Sequence, residues 1–171
     1  SQDLLVQGGG RDVELRTLLT SHTEVFGVSD RFDIHGASVR VGTEPAQYLS
    51  MAFHELCTNA VKYGALSTER GRVSVNWGVE PQTQMFTLSW REVGGPAPIP
   101  PSEVGFGSLV LKRLTPAAIL GKARIDWDVH GMSWTLLGPL AGLGEAQSHV
   151  AKPEQEWTAE QAFTASPPLG A

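Results

Sequence analysis

The chain has 171 residues, 41% hydrophobic and 18% charged, with a net charge of −5 at pH 7. That suits one globular domain with room for a tail. The acidic balance gives no footing for nucleic acid or an anionic membrane, and a single cysteine, Cys57, excludes an intramolecular disulfide and a cysteine-rich metal site.

A reducing compartment fits one cysteine. No apolar run approaches the ~18 residues of a membrane helix, and no signal peptide opens the chain. The expectation is a cytoplasmic domain without direct membrane contact, whose parent protein is either soluble or anchored elsewhere.

In chain order, "SQDLLVQGGG" reads as a helix end followed by a glycine joint. "RDVELRTLLTSHTEVFG" places Val13, Leu15, Leu18, Leu19 and Phe26 at helical spacing, with Gly27 as a stop. "RFDIHG" and "ASVRVG" predict two short strands joined at Gly36 as a hairpin. "TEPAQYLSMAFHELCTNAVKYG" predicts a long helix capped by Thr43, with Pro45 in its first turn and Gly64 as its stop.

"GRVSVNWGVE" and "TQMFTLSWREV" alternate apolar and polar residues and predict antiparallel neighbours. The glycine- and proline-rich loop "GGPAPIPPSEVGFG" follows. "SLVLKRLTPAAILG" then starts as a helix that Pro116 should end. "KARIDWDV" and "MSWTLLGPL" predict strands around a His130-Gly131 turn. From Ala141 the composition shifts towards a tail or linker, with room for a short helix at "PEQEWTAEQAF". The fold class expected is α/β (α+β): a two-layer sandwich whose mixed, mostly antiparallel sheet is covered on one face by helices.

The long helix carries an unusual ridge. At about 100° per residue, Glu55, Asn59 and Lys62 fall on one polar side, and Leu49, Phe53, Leu56, Cys57, Ala60, Val61 and Gly64 fall opposite. His54 sits on the boundary. One reading is a solvated helix face. The other is a seat for a metal-bound polyphosphate: Asn59 gives Mg²⁺ an oxygen, Glu55 holds a metal-bound water or orients an attacking group, and Lys62 neutralises phosphate.

Two further segments fit the same ligand. In "WREVGGP", Glu92 at a strand end can accept from an exocyclic amine such as that of adenine, and Gly94 and Gly95 let a flat ring approach. The plainer reading is an exposed glutamate before a turn. In "GFGSLVLKR", Gly105 and Gly107 precede a helix whose free N–H groups attract phosphate, with Ser108 as cap or ligand contact. Neither a P-loop nor a dinucleotide fingerprint is present.

Together these segments resemble the ATP-binding fold shared by DNA gyrase, sensor histidine kinases and MutL-type ATPases, the GHKL or Bergerat fold. "HELCTNAVKYGALS" resembles its N box, "EVGGP" its first glycine box and "GFGSL" its second. His54 directly before the N-box glutamate, with Trp90 and Glu92 in a W-x-E pattern, resembles the HWE subfamily of bacterial histidine kinases.

The resemblance implies ATP and Mg²⁺ as ligands. Asn59 would coordinate the metal, and Glu55 would be the N-box acid. Lys62 would meet phosphate oxygens, and Tyr63 would lie beside the nucleotide. Glu92 would read the adenine amine, and Gly94 and Gly95 would admit the ring. Gly105, Phe106 and Gly107 would shape the lid, with Ser108 and Leu109 opening the next helix. His54 and Trp90 mark the subfamily, through packing, through orienting Glu55 or Glu92, or through direct chemistry.

The subfamily's H-R-x-K-N phosphoacceptor stretch is absent. His22, His35, His130 and His149 are expected to be structural or solvent histidines, with His35 and His130 at turns. The domain organisation expected is residues 1–10 as the end of an upstream dimerisation and phosphoacceptor domain, 11–140 as the catalytic ATP-binding domain, and 141–171 as tail or linker. The expected function is γ-phosphoryl transfer from ATP to a histidine of that dimerisation domain, for relay to a response regulator receiver domain. The alternatives are a non-catalytic docking or phosphotransfer scaffold of the same fold, and a serine kinase acting on a regulatory protein.

Overall fold

Period-two burial builds the sheet in the computed structural model, which describes residues 12–100 and 105–144. The helix end at residues 2–5, the middle of the lid at 101–104 and the tail helix at 153–163 lie outside the described residues. β1 (Val13–Glu14) and β3 (Arg40–Val41) form a small antiparallel ribbon. β2 (Phe32–Gly36), β4 (Arg72–Val79), β5 (Met85–Val93), β6 (Lys122–Asp128) and β7 (Gly131–Pro139) form the main sheet in the order β2-β4-β5-β7-β6. Its pairs are antiparallel except β2 with β4.

Val73, Val75 and Trp77 of β4, Phe86, Leu88 and Trp90 of β5, and Trp134 and Leu136 of β7 point to one face and are buried. Against them lie α1 (Leu15–Val25) and α2 (Thr43–Lys62). α2 buries Ala46, Leu49, Ala52, Phe53, Leu56, Cys57 and Ala60, the i, i+3, i+4, i+7 stripe of a core-facing helix. Tryptophans can enter such a core only if their N–H finds an acceptor. Trp77 donates to Ala37 O at 2.8 Å and Trp134 to Leu111 O at 2.9 Å.

The expected β4–β5 and β6–β7 pairings are present, and Gly27 ends the first helix at φ +71. Several local expectations are corrected. β2 and β3 form no hairpin. Phe32 and Ile34 join β4 in parallel, while Val39 and Val41 turn away to bury beside β1, whose neighbour Leu15 donates to Val39 O at 2.9 Å. The Trp77 indole lies over Gly36, where a Cβ would stand 2.1 Å from the ring. His35 is therefore an exposed residue within β2 and not a turn residue.

Val13 belongs to β1 and not to the first helix, because its backbone pairs with Val41. Gly42, not Thr43, occupies the N-cap of α2, and Val61 lies on the exposed side. Pro116 does not stop the helix that contains it. α3 (Phe106–Leu109) runs through a π-helical turn (Val110–Leu114) into α4 (Thr115–Ala118). The wider turn bonds Thr115 N–H to Val110 O and makes room for the pyrrolidine ring that an α-turn would exclude. Leu143 is fully buried and its carbonyl accepts from Gly42 N–H at 2.7 Å, so the packed body runs past residue 140.

Candidate functional site

The last turn of α2 sets the geometry. Asn59 O accepts from Tyr63 N–H at 2.8 Å and from Gly64 N–H at 3.0 Å, which turns the chain into a short 3₁₀ helix at Ala65–Ser67. That leaves Ala65 N–H free to point at β5, where Glu92 Oε1 accepts it at 3.0 Å. Residues two apart on a strand share a face. Trp90 therefore stands beside Glu92, and its Nε1–H donates to Oε2 at 3.0 Å.

Glu92 is 3% exposed, so the plainer of its two sequence readings, an exposed glutamate before a turn, does not hold. Burial pushes its carboxyl above the ordinary range, and the Ala65 and Trp90 donors pull the other way. Each oxygen accepts one of these bonds and keeps lone-pair capacity for a further donor. Cys57 behind it is a silent thiol, pushed up to about 12 by burial and by Glu92.

Glycines make this approach possible. A Cβ on Gly64 would stand 2.1 Å from Glu92 Oε1, and one on Gly95 would stand 2.6 Å from Ala65 Cα. Gly131, at φ +151, would place its Cβ 2.0 Å from Glu92 O. The result is a cavity of about 190 Å³. Asn59, Tyr63, Glu92 and Gly95, four of the residues singled out in the sequence, line it together.

Trp127, Met132, Gly131 and Ile99 also line it and were missed by sequence reasoning. Trp127 and Met132 are register partners on the helix-side face, so the strand alternation holds the signal that places them. Gly94, at φ +80, is not in that lining. It belongs to a turn whose carbonyl accepts from Thr68 Oγ1 at 2.9 Å, beside a neighbouring cleft of about 440 Å³.

The polar ridge leads away from the cavity mouth. Glu55 and Asn59 are half-buried one turn apart, and Lys62 and Tyr63 are exposed. Gly107 rests on Glu55, where a Cβ would meet the carboxylate carbon at 2.4 Å. Gly105, Phe106, Gly107, Ser108 and Leu109 thus form the far wall beyond the ridge, with Phe106 65% exposed. Among the described residues no group of three or more His, Cys, Asp and Glu could hold a metal. A carboxamide and a carboxylate one turn apart instead suit a cation that keeps waters and takes phosphate oxygens.

The two subfamily markers separate. Trp90 holds Glu92. His54 lines no part of the cavity and packs with α1, its ring 5.5 Å from Phe26 and 6.2 Å from His22. His22 Nε2 is 2.8 Å from Ser50 Oγ, and burial together with His54 lowers its pKa.

No family model matches the chain. The histidine kinase domain of the Erythrobacter litoralis EL346 blue-light activated histidine kinase superposes with a TM-score of 0.61 at 17% identity, covering 74% of this chain and 59% of that one. This is the fold of the histidine kinase catalytic domain. The catalytic domain of histidine kinase ThkA, in a nucleotide-free form, superposes at 0.54 with 15% identity, covering 75% of this chain and 94% of that one.

In sequence the histidine kinase fold is joined by a blue-light-activated histidine kinase of Rhizobium johnstonii, 28% identical over 139 residues, 81% of this chain and 40% of that protein. One from Brucella ovis is 32% identical over 114 residues, 66% of this chain and 23% of that protein. The chain spans less than half the length of these curated relatives. Among the described residues no helix is long and apolar enough to cross a membrane.

Proposed function

We propose that this domain binds MgATP and supplies its γ-phosphoryl group to a histidine on a separate helical dimerisation domain, for relay to a response regulator receiver domain. The observation that carries the reading is the Glu92 carboxylate, fixed by Ala65 N–H and Trp90 Nε1–H in the wall of a cavity that Asn59 and Tyr63 also line. A buried carboxylate with spare acceptor capacity beside close-approach glycines suits a flat heterocycle bearing an amine. The ridge then leads a triphosphate out towards Glu55 and Lys62.

Phosphoryl transfer needs mainly positioning and charge stabilisation. Glu92 orients the base, Gly64 and Gly95 admit the ring, and Tyr63 covers its edge. Asn59, with Glu55 through water, would hold Mg²⁺, which offsets phosphate charge when bound. Lys62 places an ammonium near the same oxygens. Glu55 can position the incoming imidazole or a water. The catalytic unit in this reading starts at residue 11 and runs past residue 140 to Gly144, with 1–10 the end of the upstream domain and 145–171 a tail.

Calorimetric titration with MgATP tests the binding half: wild type binds and Asn59→Ala binds at least about tenfold more weakly, as expected for loss of a metal ligand. Equal affinity would remove Asn59 from the site. For the transfer half, incubation with γ-labelled ATP and a separately made dimerisation domain should give acid-labile, base-stable label. Acid-stable label would indicate a serine acceptor, and binding without any transfer would indicate a scaffold.

A further inference from the structure

A proline inside a helix normally kinks or ends it. Pro116 is buried within a continuous helical segment, next to the π-helical turn at Val110–Leu114. Such a turn takes in one extra residue, and π-turns recur at functional sites. The backbone bonds show what holds this one.

Thr115 N–H donates to Val110 O, five residues back. Leu111 O thereby loses its α-helical donor. The next residue that could serve it is Pro116, which has no N–H. Trp134 of β7 takes that place, its Nε1–H donating to Leu111 O at 2.9 Å. Trp134 is fully buried, so its indole has no water to turn to. In an α-helical register Thr115 would reclaim Leu111 O and leave the indole N–H unpaired, which is costly inside a protein.

The extra residue decides what faces Glu55. Two α-helical turns take about seven residues. That is the step from Tyr48 to Glu55 on α2, and both are contact points. Thr115 Oγ1 donates to Tyr48 O at 3.2 Å, and Gly107 rests on Glu55. The step from Thr115 back to Gly107 is one residue longer. The π-turn absorbs that residue and keeps both on the side that faces α2. Without it α3 would slip by one position, about 100° of helix. Ser108 would then stand where Gly107 stands, and a Cβ there would meet the Glu55 carboxylate carbon at 2.4 Å.

We propose that Trp134 and Pro116 are positioning residues for the Glu55 carboxylate. Together they lock the π register, and that register presents a glycine to Glu55 instead of Ser108. Neither lines the cavity that holds Glu92. The effect on ligand rests on the MgATP site proposed for this chain, whereas the register does not.

Scalar couplings across N–H···O=C bonds read the register directly in the isotope-labelled chain. In the wild type, Thr115 N should couple to the Val110 carbonyl carbon and Trp134 Nε1 to that of Leu111. In Pro116→Ala combined with Trp134→Phe, Thr115 should couple to Leu111 instead. This double variant should bind MgATP at least about tenfold more weakly, as expected when a group that acts on the metal through water is displaced. Its affinity for adenosine, which reports the Glu92 end alone, should stay unchanged. Deleting the exposed Lys112 from the double variant removes the extra residue and returns Gly107 to Glu55. MgATP affinity should then recover, which a merely loosened fold would not do.

A wild type in which Thr115 couples to Leu111 overturns the proposal, whether or not any variant folds. So does a double variant that keeps the Val110 coupling, or one that switches to Leu111 and binds MgATP as the wild type does. A wild type that binds no nucleotide overturns the MgATP reading instead, and the couplings alone still decide whether Trp134 and Pro116 set the register.

Discussion

The two ends of the candidate site are built differently. At the end proposed to hold the base, Glu92 is gripped by two donors, walled by Gly64, Gly95 and Gly131, and almost wholly buried. At the end proposed to hold the phosphates, Glu55, Asn59 and Lys62 line a more open helix face, with Gly107 at the start of α3 resting on Glu55. A flat neutral base rewards a shape fixed in advance. A charged, hydrated phosphate chain brings its own cation and water. The base end therefore couples affinity to stability, and the phosphate end does not.

The sharpest break is Gly131→Ala. Its Cβ would strike Glu92 O at a backbone angle that side chains avoid, so more than about 3 kcal/mol of stability should be lost. Chemical denaturation measures it, and a loss confined to nucleotide affinity would refute the coupling. Trp90→Phe comes next. It keeps the ring and leaves one buried carboxylate oxygen short of a donor, costing about 1–3 kcal/mol together with nucleotide affinity.

Asn59→Ala should lower MgATP affinity at least about tenfold yet change stability by less than about 0.5 kcal/mol, because the position is half-buried and alanine favours helix. Lys62→Met should weaken MgATP severalfold, with the difference vanishing at high salt, as expected for an exposed charge.

Acid offers a subtler separation. The folded-state pKa of Glu92 is raised above its ordinary value of 4.5, with burial as the main cause. Its contribution to stability is therefore complete at low pH and is lost as pH rises through the folded pKa. Nucleotide affinity should move the opposite way, falling as pH drops through the raised pKa and the carboxyl takes up its proton. Parallel melting and binding curves in wild type and Glu92→Gln check this. Parallel trends would refute it.

The same contrast governs what the sequence discloses. The ridge of Glu55, Asn59 and Lys62 is local, so helical periodicity places it. Strand alternation likewise places Trp90 and Glu92 on one face and pairs β4 with β5 and β6 with β7. The Glu92–Ala65 bond spans 27 residues of chain, and the contact of Gly107 with Glu55 is equally non-local. No spacing rule reports either. The apparent hairpin at Gly36 failed for the same reason: local turn chemistry favoured it, but Phe32 and Ile34 bury more by joining β4. Pro116 shows the reverse, a strong local signal absorbed by one widened turn.

The parallel pairing of β2 with β4 carries a mechanical consequence. Two parallel neighbours need a crossover, and here α2 is that crossover. The segment bearing Asn59 is thus stitched at both ends into the sheet whose next strand bears Glu92. The span between the two anchor points acts as a fixed ruler, and stretching it would require unzipping the sheet itself.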